Sequence, residues 1–281
     1  MTHLTIVVVS FNTRDKTSRC IDHLLEYTDL PFHIVVIDNA STDGTHDMLA
    51  DYAGRFAEEV TVVLNEQNIG YAPAVEQGCS HGAAAGDVCL VNPDLYVGPE
   101  WASRLHAHLL REPLAAVVAP LGRGIGGRQD FLLHHPAWCQ DAFSRDDLLA
   151  VNRRLAGCSP CAVTAKSLQG AIWMMRAEAR RQLGGLDPAC RTGADDADWC
   201  LRARLGGWKL LIALDVFVWH EDHSSFSQLP EQGLPLIARS WDYLNQKWKG
   251  MFDHLTWQDL METTTATDLP PFVYEEFSND C

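Results

Sequence analysis

Four short apolar runs, each ending on a polar side chain, constrain this chain more than any other feature. They are residues 4–9, 33–37, 60–64 and 88–91, rich in Val and Ile. The runs are nearly continuous rather than alternating. A strand exposed on one face alternates, whereas a strand covered on both faces of a parallel sheet does not. Helical patterns lie between them. Cys20, Ile21, Leu24 and Leu25 share one face; Met48 and Leu49 follow a dense turn cluster at residues 38–45. A small-residue stretch follows Gly70, and Pro99-Glu100 opens a further helix to residue 110. Buried strands alternating with helices imply a mostly parallel sheet with helices on both faces.

The first, second and fourth runs lead into Asn12, Asp38 and Asp94, and the loop after the third carries Asn68. In open α/β sheets ligands bind outside the carboxyl ends of the strands. Neither a G-x-G-x-x-G after the first strand nor a G-x-x-x-x-G-K-[ST] anywhere is present. Pro93 cannot donate to a ladder, so the fourth strand stops there and leaves Asp94 at its end. That carboxylate is either a plain turn residue or placed to hold a hard divalent cation, and through it a diphosphate.

The net charge of −15 argues against a nucleic-acid surface, which needs clustered Lys and Arg. It also means that an anionic ligand would need a local counter-charge: a metal, helix N-termini or a few placed cations. Nine cysteines are scattered, mostly singly, in apolar contexts, which suits reduced thiols and a cytoplasmic location. Cys158 and Cys161 have C-x-x-C spacing without a second pair or a nearby His, a poor zinc site. No apolar run reaches the ~20 residues of a membrane span, and no secretion signal opens the chain.

Regularity fades over residues 121–161, which read as a flap over the site or a surface excursion. It resumes with a strand at 170–175 and a short helix at 178–183, stopped by Gly184-Gly185. An acid-led helix at 195–205 follows, its Asp195, Asp196 and Asp198 in the first turn where the helix dipole favours them. Strands at 208–213 and 216–219 lead to His220. A helical stretch at 234–248 precedes a tail, 263–281, with Pro270-Pro271 and several acids.

In order, Val9-Ser10-Phe11-Asn12, Ile37-Asp38-Asn39-Ala40-Ser41-Thr42-Asp43-Gly44-Thr45, Asn68-Ile69-Gly70-Tyr71, Val91-Asn92-Pro93-Asp94, Gly184-Gly185-Leu186-Asp187, Asp195-Asp196-Ala197-Asp198 and Trp219-His220 resemble the motifs of family 2 glycosyltransferases. The resemblance covers roughly residues 4–225 and is nearest the rhamnosyl- and galactofuranosyltransferase-like branch. It implies a GT-A fold: a Rossmann-like, mostly parallel central sheet flanked by helices, with a small second sheet and a C-terminal helical extension. The glycosyltransferase domain would span 1–225, with a nucleotide-binding half at 1–120 and an acceptor and catalytic half at 162–225. Residues 226–281 would form the extension and acidic tail.

The resemblance also implies roles. Asp38 would bind the uracil or ribose, a sound charge-assisted acceptor beside a base N–H, or else it caps its turn. Ser10 and Asn12 would line the same pocket or merely close the strand-to-helix turn; Asn68 and Gly70 would border the ribose. Asp94 would ligate Mg²⁺ or Mn²⁺, with His220 as a further ligand. Asn92 replaces the first carboxylate of the D-x-D pattern and supplies hydrogen bonds but no charge. Asp196, or its neighbour Asp195, would be the base of an inverting displacement. Trp173 and Trp199 read as an acceptor platform or as core. The expected activity is transfer of a sugar from a nucleotide-sugar, UDP-hexose first and a dTDP-sugar next, to a glycan, small-molecule or peptide acceptor. A sugar nucleotidyltransferase and a catalytically silent sugar-nucleotide-binding protein are the alternatives.

Overall fold

The computed structural model describes residues 3–81, 86–135, 143–221 and 233–249. Its first half follows the alternation of the sequence: β1 (Leu4–Ser10), α1 (Arg14–Tyr27), β2 (Phe32–Asp38), α2 (Thr45–Arg55), β3 (Val60–Leu64), α3 (Tyr71–Ser80) and β4 (Val88–Val91). These four strands lie in the order β3-β2-β1-β4 and are all parallel. Every residue of β1 and β4 is buried, as their unbroken apolar runs require. Helix α1 docks through Thr17, Cys20, Ile21 and Leu24, one stripe at helical spacing.

The second half reverses direction. After β5 (Leu95–Tyr96) and α4 (Trp101–Arg111) come β6 (Ala115–Arg123), α5 (Phe131–His134), α6 (Arg145–Ala156), β7 (Ala162–Ala165), β8 (Ile172–Met175), α7 (Ala177–Leu183), α8 (Asp195–Leu205), β9 (Lys209–His220) and α9 (Gly233–Lys247). Strand β8 runs antiparallel to both β4 and β6, and β9 runs parallel to β6. The expected small second sheet is joined to the main one. The twelve-residue β9 pairs with β7 along its first half and with β5 at its last two residues, so nine strands form one sheet.

Two further features depart from the sequence expectations. Residues 208–219 form one strand with a bulge between Ala213 and Phe217, not two strands. The polar residue that broke the apolar pattern, Asp215, lies in this bulge and is buried 2.6 Å from His108 Nε2. Residues 121–161 are less irregular than expected: β6 runs on to Arg123, and α6 is a full helix with a capping box between Ser144 and Asp147. The acidic tail at 263–281 lies outside the described residues. No described helix is long and apolar enough to cross a membrane. Cys158 and Cys161 are free thiols.

The loop 184–187 shows how closely the elements mesh. Glu76 of α3 pairs bidentately with Arg180 of α7, at 3.1 and 2.7 Å, and accepts the Leu186 N–H at 2.9 Å. A Cβ on Gly185 would fall 2.0 Å from the Glu76 carboxylate. We predict that Gly185→Ala destabilises the fold by about 1–3 kcal/mol, the usual range for overpacking. Denaturant unfolding measures it, and an unchanged midpoint would contradict the contact.

Candidate active site

The carboxyl ends of both halves of the sheet open on a cavity of about 230 Å³. One wall comes from the parallel half: Val9 and Phe11 at the end of β1, Asn39 after β2, Asn68 and Tyr71 at the entrance to α3, and Asn92-Pro93 after β4. The other comes from residues 124–126 after β6, residues 169–171 before β8, Thr192, Gly193, Asp195 and Asp196 at the start of α8, and His220 at the end of β9. No Lys or Arg is among these lining residues. The cavity carries two carboxylates, four side-chain amides, two hydroxyls and one imidazole.

Asparagines build the first wall. Asn39 donates to Asn68 Oδ1 (2.9 Å) and the Gly70 carbonyl (3.3 Å), and accepts from Asn65 Nδ2 (3.2 Å) and the Ile69 N–H (3.1 Å). Its amide is thus fully engaged, which fixes the loop that carries Asn68. Gly70 has φ +94°, and a Cβ there would meet the Arg191 carbonyl at 2.8 Å. Arg191 in turn accepts the Tyr71 N–H at 2.6 Å. This close approach seats the start of α3 against the segment leading into α8.

Asp94 and His220 meet behind the cavity floor. The pairing of Leu95 with His220 in β5 and β9 brings them together. Asp94 is fully buried, and its Oδ1 stands 3.1 Å from His220 Nε2. The opposite nitrogen, Nδ1, donates to the Gly124 carbonyl at 3.0 Å, which fixes the tautomer when the ring is neutral. Asn92 Nδ2 lies 3.4 Å from the same Nε2, and Asn92 Oδ1 is 3.5 Å from the Tyr71 hydroxyl. Burial pulls the His220 pKa down, but the hydrogen bond and charge of Asp94, with the Gly124 carbonyl, outweigh it and raise the pKa overall. Asp94 and His220 are the residues that could hold a divalent ion here, because a carboxylate oxygen and an imidazole nitrogen are both donors that Mn²⁺ accepts. Their 3.1 Å separation is that of a hydrogen bond between them. Among the described residues no group of three His, Cys, Asp or Glu has metal-holding geometry.

Asp195 and Asp196 face the cavity from the first turn of α8. Gly193 and Ala194 before them both take left-handed backbone, with φ 78° and 65°. Asp195 is 6% exposed, and burial together with the adjacent Asp196 charge pushes its pKa up to about 8. Asp196 is half-buried, and burial raises it too, although it accepts N–H bonds from Ala197 (2.7 Å) and Gly170 (3.3 Å). The backbone donors favour the ionised form at Asp196 and so oppose part of the rise that burial causes there.

The structure thus gathers Asn68, Asn92, Asp195, Asp196 and His220 on the cavity wall and sets Asp94 fully buried behind His220, but places four other candidates differently. Ser10 is fully buried and bonds Thr13 and Thr17 hydroxyls at 3.2 and 2.8 Å beneath α1. Asn12 Oδ1 accepts the Thr42 N–H at 2.8 Å, stitching two strand-end loops together. Asp38 Oδ1 accepts the Ser41 N–H at 3.2 Å and so closes its own turn. Gly70 serves the backbone contact with Arg191. None of these four lines the cavity. Trp173 and Trp199 are buried core, with ring centroids 5.7 Å apart, and form no acceptor platform. Sequence reasoning passed over Asn39, Gln169 and Thr192 as site residues and gave Tyr71 no role. Asn39 and Tyr71 lie within the quoted motifs, but Gln169 carries no sequence signal.

An α/β sheet of this order, mostly parallel and flanked by helices with its polar cavity at the strand ends, has the GT-A fold of glycosyltransferases. The model of the family described as Glycosyl transferase family 2 matches residues 5–170, and the chain belongs to that family. It is a glycosyltransferase, which sets aside the nucleotidyltransferase and silent-binder alternatives. It is 25% identical over 265 residues to the N-acetylglucosaminyl-diphospho-decaprenol L-rhamnosyltransferase of Mycobacterium tuberculosis, covering 84% of this chain and 82% of that one. It is 30% identical to the poly(ribitol-phosphate) beta-glucosyltransferase of Bacillus spizizenii over 129 residues, 44% of this chain and 20% of the other. The fold resembles the mannosyltransferase PcManGT from Pyrobaculum calidifontis, solved with GDP-Man and Mn²⁺. The TM-score is 0.62 at 18% identity, over 98% of this chain and 72% of that one. It also resembles GalNAc-T7, solved with UDP, GalNAc and Mn²⁺, with a TM-score of 0.61 at 18% identity over 78% and 44% of the two chains.

The carboxylate pair leaves a signature in stability. Asp195 holds its proton in the folded state up to about pH 8, whereas an unfolded aspartate releases it near pH 3.9. The folded state therefore binds the extra proton between these values, and this contribution is lost as pH rises through them. Asp195→Asn removes the ionisable group. Its thermal midpoint relative to wild type should climb from about pH 4 to about pH 8 and level off above that; parallel midpoint curves would contradict the burial of the charge.

Proposed function

We propose that this chain is an inverting, divalent-metal-dependent glycosyltransferase that uses a nucleotide-sugar donor. The observation that carries this reading is the charge of the cavity. A nucleoside diphosphate must enter an acidic protein through a site whose described lining includes Asp195 and Asp196 but no Lys or Arg. Asp94 and His220 would hold a divalent ion that supplies the counter-charge. Both structural relatives were solved with Mn²⁺, one with GDP-Man and the other with UDP and GalNAc, which supports the same assignment. When bound, such an ion stabilises the negative charge that develops on the diphosphate as it leaves.

The chain's own residues do the rest. Asn68 and Asn92 orient the donor through side-chain amides. Asp196, the ionised member of the pair, takes the proton of the acceptor hydroxyl. The acceptor oxygen forms its bond to the anomeric carbon from the face opposite the diphosphate, and the carbon–oxygen bond to the diphosphate breaks with its electron pair leaving on the phosphate oxygen. Asp195 keeps its proton and lowers the charge that Asp196 must share. The half-buried setting of Asp196 keeps its proton affinity above that of an exposed carboxylate, which suits a base.

The donor is a UDP-hexose or a dTDP-deoxysugar, and the rhamnosyltransferase relative brings a rhamnosyl donor level with the first. The acceptor is a glycan, a lipid-linked sugar, a small molecule or a peptide. The amide- and hydroxyl-rich lining fits a neutral hydroxyl-bearing acceptor end. A cytoplasmic location accords with the seven described cysteines, all free thiols. The glycosyltransferase domain would extend to residue 225, with the rest an extension.

A thermal-shift panel of UDP-glucose, dTDP-rhamnose and GDP-mannose, with and without Mn²⁺, tests the reading, because stabilisation grows with ligand concentration over Kd. One donor should raise the midpoint, and only with Mn²⁺; no shift with any of them would contradict it. Asp196→Asn should keep that donor shift and lose at least 100-fold in kcat, within the usual worth of a positioned base. Turnover within threefold of wild type would move the base elsewhere.

A further inference from the structure

Asp198 shares the first turn of α8 with the carboxylate pair but is turned away from the cavity. It is fully buried and heavily bonded. Arg202 Nε reaches its Oδ2 at 2.7 Å, while Trp248 Nε1 (3.0 Å) and Lys247 Nζ (2.8 Å) reach its Oδ1. Arg202 spends its other nitrogens on the Leu183 and Gly185 carbonyls, both at 2.8 Å. Lys247 also holds Asp187 Oδ2 at 2.6 Å, an oxygen that accepts the Tyr243 hydroxyl at 3.0 Å. Lys247, Trp248 and Tyr243 all belong to α9 or the residue just after it, and thus to the chain beyond the residues that the family model matches.

The apolar contacts repeat the arrangement. Leu244 packs on Ala194 and Ala197, the residues that flank the carboxylate pair. Ile237 lies against Gly193, which lines the cavity. The four carboxylates at 187, 195, 196 and 198 are crowded within a short stretch of chain, and α9 brings the ammonium that bridges two of them. A helix cap alone would not need a second element to supply that charge.

We propose that α9 is a positioning element of the transfer reaction. Lys247 and Trp248, by gripping Asp198 from outside α8, fix the first turn of that helix and hold Asp196 at the cavity wall. Lys247 touches neither donor nor acceptor and acts through Asp198. This rests on Asp196 being the base. It makes the extension a working part of the enzyme, where the alternative is a clamp that serves stability alone.

The test uses the full chain with Mn²⁺ and measures nucleoside diphosphate release from UDP-glucose, dTDP-rhamnose and GDP-mannose, with water in the acceptor's place. Lys247→Met and Trp248→Phe should each lower kcat at least tenfold with the donor KM within twofold of wild type. Lys247→Arg, which keeps the charge, should recover most of the loss. Asp196→Asn is measured beside them. If Asp196→Asn is inactive while both Lys247→Met and Trp248→Phe keep kcat within twofold, or lose it only in proportion to a lost folded fraction seen by circular dichroism, the positioning role is overturned and the base assignment stands. If Asp196→Asn turns over normally, or the wild type releases nucleotide from none of the three donors, the reading beneath the proposal fails instead.

Discussion

The contact between Asp94 and His220 is the one on which the rest of the site depends. A carboxylate with no exposed surface stands 3.1 Å from an imidazole that is 8% exposed. Taking a charge out of water is expensive, and breaking such a pair by removing one partner costs about 3–5 kcal/mol. Burial is tolerated here because Asp94 immediately precedes Leu95, whose strand pairs with His220, and because Gly124 and the Glu221 N–H hold the ring and the Asp94 carbonyl from behind. Gly124 is needed at that point: it has φ +77°, and a Cβ would fall 2.4 Å from the His220 carbonyl. Three strand ends, those of β4, β6 and β9, are locked together by this cluster.

The same contact joins the two halves of the molecule. The parallel half supplies amides and Asp94; the mixed half supplies His220 and the carboxylates of α8. Strand β8 between them runs antiparallel to both neighbours, so its entrance, at Gly170, lies beside the exit of β4. Asn92 N–H donates to Ala171 across that seam at 2.9 Å, and Gly170 N–H donates to Asp196. The metal-side and base-side groups are therefore tied through two residues of one loop. A cavity so built collects negative charge in an already acidic protein.

Much of this was legible in the sequence, for a definite reason. Strands covered on both faces leave unbroken runs such as Ile34-Val35-Val36-Ile37, and the carboxyl edge of such a sheet is where polar residues must appear. The second half was harder. Strand β6 is rich in Ala, β7 is short, and a buried Asp215 interrupts β9 at a bulge. Helix α6 did leave a signal, the spacing of Ser144 and Asp147, within a stretch that its glycines and proline made look irregular. Site residues divided along similar lines. A polar residue at a strand end serves either a ligand or its own turn, and its type does not say which. Asn12 is answered by Thr42 and Asp38 by Ser41, and those partners are set by the tertiary fold. Asn92, Asp94 and His220 converge through strand pairing across 128 residues of chain, which no local pattern encodes. Tyr71 and Gln169 reach the cavity because their backbone N–H groups are held by the Arg191 carbonyl and by the Gln129 side chain, both distant in sequence.

The central claim is that a divalent ion, held by Asp94 and His220, brings the nucleoside diphosphate into an acidic cavity. Titration of Mn²⁺ by electron paramagnetic resonance, with and without UDP or dTDP, tests it most directly, because metal and nucleotide must strengthen each other by the same factor. The account predicts that one nucleotide tightens Mn²⁺ binding in the wild-type chain at least tenfold, and that Asp94→Ala abolishes this coupling. Equal Mn²⁺ affinity with and without nucleotide in the wild type, or coupling that survives Asp94→Ala unchanged, would contradict it.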